Sequence, residues 1–376
     1  MVLLVVAAIV HGSLYPWQFS VRNGPDGPFA LLASTWQDWD HGTDLAANLI
    51  FYFPLGFFLP GALPGPRRRA CLAAVPLATA LSCAMELLQF YIPGRVTSMG
   101  DVDADTLGAA CGALVAGGLG LKLSWWLLGD LAADLPALLV LGAWAGARLY
   151  PYVPEADLHQ YWRAVRDLVL APRLDPLDLL RYAASWLALA AIVERVYGLR
   201  RWLVVFPLLL AGEFCARAIV HGSTLKLADL AGGGGAFVVW TLLLRWLPGR
   251  LGLAGVLLAV AVGILRLAPF SFGAAQKPFG WTPLLSLMVG SMNVAIPTFM
   301  EKMFFYGAAI YLLWRSGLNL ALTAAGMAAL LLATSYLEVF LPDRSAEITD
   351  ALLALIVGLG FALAPPAVSA ATARPE

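Results

Sequence analysis

Apolar runs of roughly the length that crosses a bilayer alternate along the chain with short polar breaks. The breaks contain turn-forming residues and arginines, as in PGPRRR at 64–69 and LPGR at 247–250. This pattern predicts an all-α polytopic membrane protein with about twelve transmembrane helices. The predicted spans lie near residues 1–16, 44–63, 70–92, 103–121, 134–150, 177–194, 202–220, 227–246, 251–268, 296–314, 318–341 and 348–365.

Landmark residues recur at similar spacings and predict three tandem four-helix units. Each unit opens with an apolar helix that ends in a proline–aromatic corner, at Pro16-Trp17, Pro151-Tyr152 and Pro269-Phe270. The third helix of each unit carries an acid and the fourth opens with one; these pairs are Glu86 and Asp101, Glu213 and Asp229, and Glu338 and Asp350. The units are predicted at 1–133, 134–250 and 251–365, with a disordered tail at 366–376. The alternative is that apolar helices of similar length merely resemble one another.

Basic residues in the short loops predict the orientation in the membrane. They cluster between the second and third helices of each unit and between units: Arg67, Arg68, Arg69, Lys122, Arg195, Arg200, Arg201, Arg245, Arg250 and Arg315. We therefore predict a protein of the bacterial cytoplasmic membrane with both termini inside. Arg163, Arg166 and Arg173 fall on the opposite side and weaken this assignment. On this topology the acid-bearing turns between third and fourth helices face outward.

The composition is typical of a membrane protein and argues against a nucleic-acid-binding protein and a cysteine metal site. The chain is 60% apolar and 13% charged, with 24 basic and 24 acidic residues, so no basic surface for nucleic acid is indicated. Cys71, Cys83, Cys111 and Cys215 stand singly without metal-ligand spacing and are interpreted as packing residues. We predict no metal and no cofactor. The membrane itself supplies the expected partners, which are lipids.

Charged residues concentrate between two apolar runs in the stretch 85–112. Glu86 and Gln89 are three residues apart and share a helix face, and Arg95 follows in the turn. Ionisable groups inside hydrocarbon are costly unless paired, so they are candidates for a functional site. A static ion pair that ties the turn to the bundle is one interpretation, and a site for an anionic or hydroxyl-rich lipid head group is the other. Asp101 is also explained as a first-turn acid favoured by the helix dipole.

Three segments in this part of the chain resemble one family. They are NLIFYFPLGFFLP at 48–60, MELLQFYIPGR at 85–95 and DVDADTLGAACG at 101–112. Together they resemble the VanZ-like family over residues 1 to about 122, although Asp105 stands where that pattern more usually has Asn. The candidate ligand-binding residues are Asn48, Glu86, Gln89, Arg95, Asp101 and Asp105. Gly108 and Gly112 form a small-residue face that should allow close helix packing.

The two later units match this pattern only in part and are interpreted as degenerate copies. Their secondary candidate residues are Glu213, Arg217, Asp229, Glu338, Arg344 and Asp350. Arg217 lies one turn after Glu213 and could supply the charge that Arg95 gives the first unit. The first unit alone keeps the full set of polar residues. We therefore expect it to hold a surviving site and the others to act mainly as scaffold.

The resemblance implies a membrane protein of the bacterial envelope. The founding member of the family is linked to reduced susceptibility to teicoplanin, and no reaction is attached to the family. One hypothesis is that the outward acids and arginines bind a lipid-linked or anionic envelope component. A second is a scaffold or partner for another membrane protein. A third is an enzyme with Glu86 and Asp101 as acid and base, which is disfavoured because no HExxH, GxSxG or phosphate-loop motif occurs.

Overall fold

The structure is a computed structural model, and it describes residues 2–15, 17–20, 27–35, 42–93, 97–120, 130–155, 158–273, 276–285, 291–342 and 344–364. The chain divides into two compact units. The first consists of Met1–Trp126, Pro151–Arg163 and Ile219–Ser223, and the second of Leu127–Tyr150, Ala164–Ala218 and Thr224–Glu376. All the regular elements of the described residues are helices, as the apolar pattern predicted.

Among the described residues, five α-helices build the first unit: α1 (Val2–Leu14), α2 (Pro28–Ser34), α3 (Gly42–Phe58), α4 (Arg67–Gln89) and α5 (Met99–Val115). Its apolar core joins α1, α3, α4 and α5 through Ile9, Leu14, Tyr52, Leu55, Ala78, Met85, Ile92 and Ala109. Helices α3 and α5 approach backbone to backbone. A Cβ atom on Gly108 would collide with the carbonyl of Leu49, and one on Gly112 with that of Phe53. The small-residue face predicted on α5 therefore packs as expected.

The second unit contains α6 (Leu135–Arg148), α8 (Pro176–Ile219, whose last residue belongs to the first unit), α9 (Leu227–Leu242), α10 (Arg250–Leu267), α11 (Met292–Arg315), α12 (Leu320–Leu337) and α13 (Thr349–Leu363). The residues of α7 (Leu158–Leu170) are divided between the two units. Helix α8 is broken at Gly198, where φ is 74° and ψ is 164°. Glycine adopts this backbone conformation without the steric cost of a Cβ atom. The two arms of α8 correspond to the predicted spans at 177–194 and 202–220.

Five helical ranges of the described residues are long and apolar enough to cross a membrane. They are Arg67–Gln89, Pro176–Ile219, Leu227–Trp246, Arg250–Leu267 and Leu320–Phe340. Shorter apolar helices occur at Val5–Leu14, Phe51–Gly61, Leu135–Arg148 and Thr349–Leu363. Each predicted span overlaps one of the observed helices, so the all-helical fold is confirmed, and the long apolar helices support a membrane protein. The topology of twelve spans in three units stays a prediction.

The aromatic residues of the three proline–aromatic corners share one backbone conformation. Trp17, Tyr152 and Phe270 have φ angles of 65°, 64° and 63°. Positive φ is rare for bulky side chains. The amide of Trp17 donates to the carbonyl of Leu14 at 2.7 Å, and the amide of Phe270 donates to Leu267 at 2.8 Å. The corners are thus alike in geometry as well as sequence, which favours a repeat, while the unit boundaries at 133/134 and 250/251 stay a prediction.

Candidate functional site

Arg266, near the end of α10, is the centre of a buried polar cluster in the second unit. Its Nη2 donates to Glu338 Oε2 and to Ser335 Oγ, each at 2.8 Å, and its Nε donates to Thr334 Oγ1 at 2.9 Å. Its Nη1 donates to the carboxylate of Asp350. The acceptors come from the last turn of α12, the turn that follows it and the first turn of α13, so one guanidinium joins three helices. A buried charge needs this kind of pairing and hydrogen bonding.

Helix α11 adds a second cation and a phenol to the cluster. The Nζ atom of Lys302 lies 2.8 Å from Oδ1 of Asp350. The hydroxyl of Tyr306 lies 3.4 Å from Nη1 of Arg266. Arg266 and Lys302 therefore balance the negative charges of Glu338 and Asp350, although both carboxylates are buried. This balance lets four ionisable groups share an apolar bundle.

A cavity of about 370 Å³ opens beside this cluster. Its walls come from α8, α10, α11, the start of α13 and the turn before α13. Its ionisable lining residues are Asp178, Arg181, Arg266, Glu301, Lys302, Tyr306, Glu338, Arg344 and Asp350. Apolar residues complete the wall: Leu177, Val262, Leu265, Ala268 and Phe305. A cavity of this size with a mixed lining is typical of a small-molecule site.

Arg344 is the cation of the cavity that uses no described carboxylate as an ion-pair partner. Its Nη2 donates to the carbonyl oxygens of Ala268 at 2.8 Å and Leu265 at 3.2 Å. Arg181, in contrast, forms a two-point pair with Glu301, with Nε donating to Oε1 at 2.7 Å. Arg344 caps the exposed carbonyls at the end of α10, where a cation is favoured by the helix dipole. Its positive charge remains available to a ligand in the cavity.

Asp178, at the edge of the cavity, has its partner elsewhere. Its Oδ2 accepts a hydrogen bond of 2.8 Å from Nζ of Lys226, which is half exposed and does not line the cavity. That hydrogen bond raises the pKa of the Lys226 ammonium. The pair of Lys226 with Asp178 therefore matches the pair of Lys302 with Asp350 in chemistry and distance, but only the second has its lysine in the cavity wall.

A second arginine cluster in the same unit has almost no free space beside it. Arg148, the last residue of α6, pairs with Glu213 at 2.7 Å and with Asp229. Arg217 lies 2.5 Å from Asp229, and the indole of Trp186 donates to the same carboxylate at 3.0 Å. The space beside Arg148 has a volume of only about 20 Å³. That volume is near the size of a single water site. The predicted pairing of Arg217 with the two acids is thus present, but its surroundings leave no room for a head group.

Arg148 and Arg266 occupy equivalent places, and neither was predicted from the sequence as a site residue. Arg148 and Arg266 each lie three residues before the proline of a proline–aromatic corner. The equivalent residue of the first unit is Ser13. A single arginine near the end of an otherwise apolar helix was the available signal, since such residues need a partner. Their partners lie 81 and 84 residues further along the chain, which no local pattern reveals.

In the first unit Glu86 ties the end of α4 to the start of α5. Its Oε2 accepts a hydrogen bond of 2.9 Å from the amide of Ser98, the N-cap residue of α5, and Asp101 lies in the first turn of that helix. The backbone carbonyl of Glu86 accepts from Thr97 Oγ1 at 3.2 Å. Glu86 and Gln89 are both buried. Arg95 lies outside the described residues, so its predicted pairing with Glu86 stays a prediction.

Asp105 belongs to the interface of α4 and α5. Its Oδ2 accepts a hydrogen bond of 2.7 Å from Ser82 Oγ, and its Oδ1 is buried without a hydrogen-bond partner in the described part of the chain. The hydroxyl of Tyr52 on α3 is likewise buried and unpaired there. Asn48, one turn earlier on α3, is half-buried. The first-unit candidates that the structure describes therefore lie on α3, α4 and α5, which pack together, and Glu86 and Asp105 are both buried there.

Metal chemistry has no candidate site among the residues that the structure describes. No group of three or more His, Cys, Asp or Glu side chains there has a metal-binding arrangement. The four cysteines are free.

Comparison with known proteins identifies the N-terminal part of the chain. Residues 1–120 match the family model described as VanZ/LLP1. The predicted resemblance to the VanZ-like family is thereby confirmed for this region, which lies within the first segment of the first compact unit. Neither a curated protein nor a solved structure matches the chain. The two degenerate copies stay a prediction.

Proposed function

We propose that this chain, which is VanZ-like over residues 1–120, is a bacterial envelope membrane protein that binds a lipid-linked or anionic envelope component. The ligand would sit at a Glu/Arg/Asp site formed where third and fourth helices of a unit meet. The observation that carries the proposal is the cavity of about 370 Å³ beside Arg266 and Arg344. Under the predicted topology this cavity faces outward from the cytoplasmic membrane.

The cavity lining suits a head group that combines phosphate with hydroxyl or amine groups. Arg344 has a guanidinium that pairs with no described carboxylate, and the planar fork of arginine matches phosphate geometry. Lys302 is the second donor on the same wall. Asp178 and Glu338 are acceptors for sugar hydroxyl or ammonium groups. Leu177, Leu265 and Phe305 give the apolar contact that the first isoprenoid or acyl segments of such a lipid need.

The first unit would bind an envelope component through its own polar residues, which are Asn48, Glu86, Gln89, Arg95, Asp101 and Asp105. The family match lies in this unit, and the founding VanZ-like protein is linked to teicoplanin susceptibility. A role in glycopeptide resistance is therefore an analogy that belongs to this proposal. Binding of a cell-wall lipid intermediate would connect that analogy with the chemistry of the cavity.

A scaffold for another envelope protein is the second candidate function. The closed cluster around Arg148 favours it, because the guanidinium pairs with both carboxylates and only about 20 Å³ remains beside them. Such a cluster fixes helices and leaves no room for a head group. If the cavity beside Arg266 also served only packing, the chain would be a scaffold throughout.

Native mass spectrometry of the full chain, purified gently from its own membranes, tests whether the protein binds an envelope lipid or acts only as a scaffold. Lys302→Gln removes a cation from the cavity wall, and Lys226→Gln is a control that breaks a lysine–aspartate pair of the same length whose lysine lies outside the cavity wall. We expect wild type and Lys226→Gln to retain a phosphorylated polyprenyl lipid or glycolipid that Lys302→Gln loses. Bulk phospholipid alone, bound equally by all three proteins, would refute ligand binding and leave the scaffold function.

A further inference from the structure

A second cleft lies at the opposite end of α10 from Arg266. Arg250 begins this helix, sixteen residues before Arg266, so the two ends are about 24 Å apart. The cleft has a volume of about 290 Å³. Its lining residues are Glu194, Arg195, Gly198, Leu199, Arg245, Trp246, Arg250 and Leu251. It is therefore a separate site from the cavity of the proposed function and does not depend on it.

The cleft carries more positive than negative charge. Glu194 is its one lining carboxylate, and both oxygens of Glu194 are used. Oε1 accepts from Nε of Arg250 at 3.0 Å, and Oε2 accepts from the indole of Trp240 at 2.6 Å. Neither Arg195 nor Arg245 has a carboxylate within ion-pair distance in the described part of the chain. Two guanidinium groups thus line the cleft without a compensating charge.

Arg245 in particular is arranged to receive an acceptor. Its guanidinium carbon lies 4.4 Å above the ring of Trp246, which holds the planar group in place. Its Nε is buried and has no hydrogen-bond partner among the described residues. A buried donor that has lost water without gaining an acceptor is costly. An oxyanion bound in the cleft would supply that acceptor.

The rim of the cleft is apolar and exposed. Trp246 is 68% exposed and Leu199 is 44% exposed, and Leu247 continues the apolar rim. Gly198 opens the wall, because its φ of 74° ends the first arm of α8 next to Arg195. Under the predicted topology this end of the second unit faces the cytoplasm, where anionic lipids are enriched and basic juxtamembrane residues bind them.

We propose that this arginine cleft binds a phosphate group, with Arg195 and Arg245 as the direct donors and Trp246 as the interfacial contact. Arg250 is a positioning residue, because its guanidinium pairs with Glu194. The phosphate is supplied either by an anionic membrane lipid or by a free phosphate ion. The exposed apolar rim distinguishes the cleft from a site built for a soluble ion alone.

Binding to delipidated full chain in detergent tests the proposal, with short-chain phosphatidylglycerol as the probe and native mass spectrometry as the readout. The variant Arg195→Gln/Arg245→Gln removes both donors. Arg68→Gln/Arg200→Gln is the control, because it removes two exposed positive charges that do not line the cleft. We expect the first variant to lose at least tenfold in affinity at the tightest site and the control to bind like wild type.

Equal affinity of Arg195→Gln/Arg245→Gln and wild type would overturn the proposal, as would an equal loss in the control. Inorganic phosphate added as competitor identifies the source of the group. Displacement of the lipid at millimolar phosphate supports a site that also takes the free ion, and retention of the lipid supports a head-group site. If the double variant is not monodisperse on size exclusion, Arg195→Gln alone decides, since its side chain is exposed, and unchanged affinity there counts against the proposal.

Discussion

The ammonium of Lys302 lies 2.8 Å from Oδ1 of Asp350, while Arg266 donates to Oδ2 of the same carboxylate. Two cations from α10 and α11 therefore hold one acid at the first turn of α13. These three residues line the cavity, so their opposite charges balance one another within its wall. Arg344 has no carboxylate at ion-pair distance among the described residues, so its charge can pair with an anionic ligand. The proposed head-group site rests on this free charge.

Arg266 should be essential for stability as well as for the cavity. Arg266→Met leaves Glu338 and Asp350 buried beside an apolar side chain, and breaking such a cluster costs about 3–5 kcal/mol. We expect a large fall in the thermal unfolding midpoint of the detergent-purified protein. Arg173→Met, in an exposed position, should leave the midpoint unchanged. Equal midpoints for the two variants would contradict the role given to Arg266.

Glu86 should act mainly through the oxygen that accepts from Ser98. Glu86→Gln keeps an acceptor of the same shape, whereas Glu86→Ala leaves the amide of Ser98 unpaired. We expect Glu86→Ala to be less stable than Glu86→Gln by about 1 kcal/mol in chemical unfolding. If the two variants unfold together, the hydrogen bond to Ser98 is not what Glu86 contributes.

The first unit should also reveal whether its charges bind lipid. Arg95→Ala and Glu86→Gln both remove a charge from the predicted site, and Glu86→Gln is expected to preserve the fold. We expect both variants to retain less of any phosphorylated envelope lipid than wild type on native mass spectrometry. Unchanged lipid retention in both would restrict the site to the cavity of the second unit.

The close approach of α3 and α5 should make Gly108 intolerant of a methyl group. Gly108→Ala places a Cβ against the backbone of Leu49, and overpacking of this kind costs about 1–3 kcal/mol. Gly212→Ala is the control, because open space surrounds that position and alanine favours a helix by about 0.5–1 kcal/mol. Thermal unfolding should therefore separate the two variants in opposite directions. A neutral Gly108→Ala would mean that the two backbones are not in contact.

The proline–aromatic corner at Phe270 should tolerate glycine better than valine. Phe270 has a φ of 63°, and its side chain is half-exposed. Left-handed backbone costs about 1–2 kcal/mol for residues with a Cβ atom, and β-branched residues fit it worst. We expect Phe270→Val to unfold at a lower temperature than Phe270→Gly. The reverse order would show that the corner does not hold this conformation.

Helix positions were predictable because membrane length and apolar runs fix them locally. The acids at Glu86, Glu213 and Glu338 were also visible, since charge is rare in this chain. Arg217 was predicted as a partner of the acids in the second unit, but Arg148 and Arg266 were not, because their pairs with Asp229 and Asp350 span more than eighty residues. The complete motif favoured the first unit, whereas a cavity depends on long-range packing that no local sequence pattern reveals.

We expect a specific envelope lipid to occupy the cavity lined by Leu177. A photoreactive phenylalanine analogue at Leu177, which lines the cavity, can be compared in living cells with one at Leu203, which is exposed elsewhere. After irradiation, mass spectrometry of each adduct identifies what lay beside the side chain. A lipid site in this cavity should give a phosphorylated polyprenyl or glycolipid adduct at Leu177 and only bulk phospholipid at Leu203. The same bulk phospholipid adducts at both positions would contradict it.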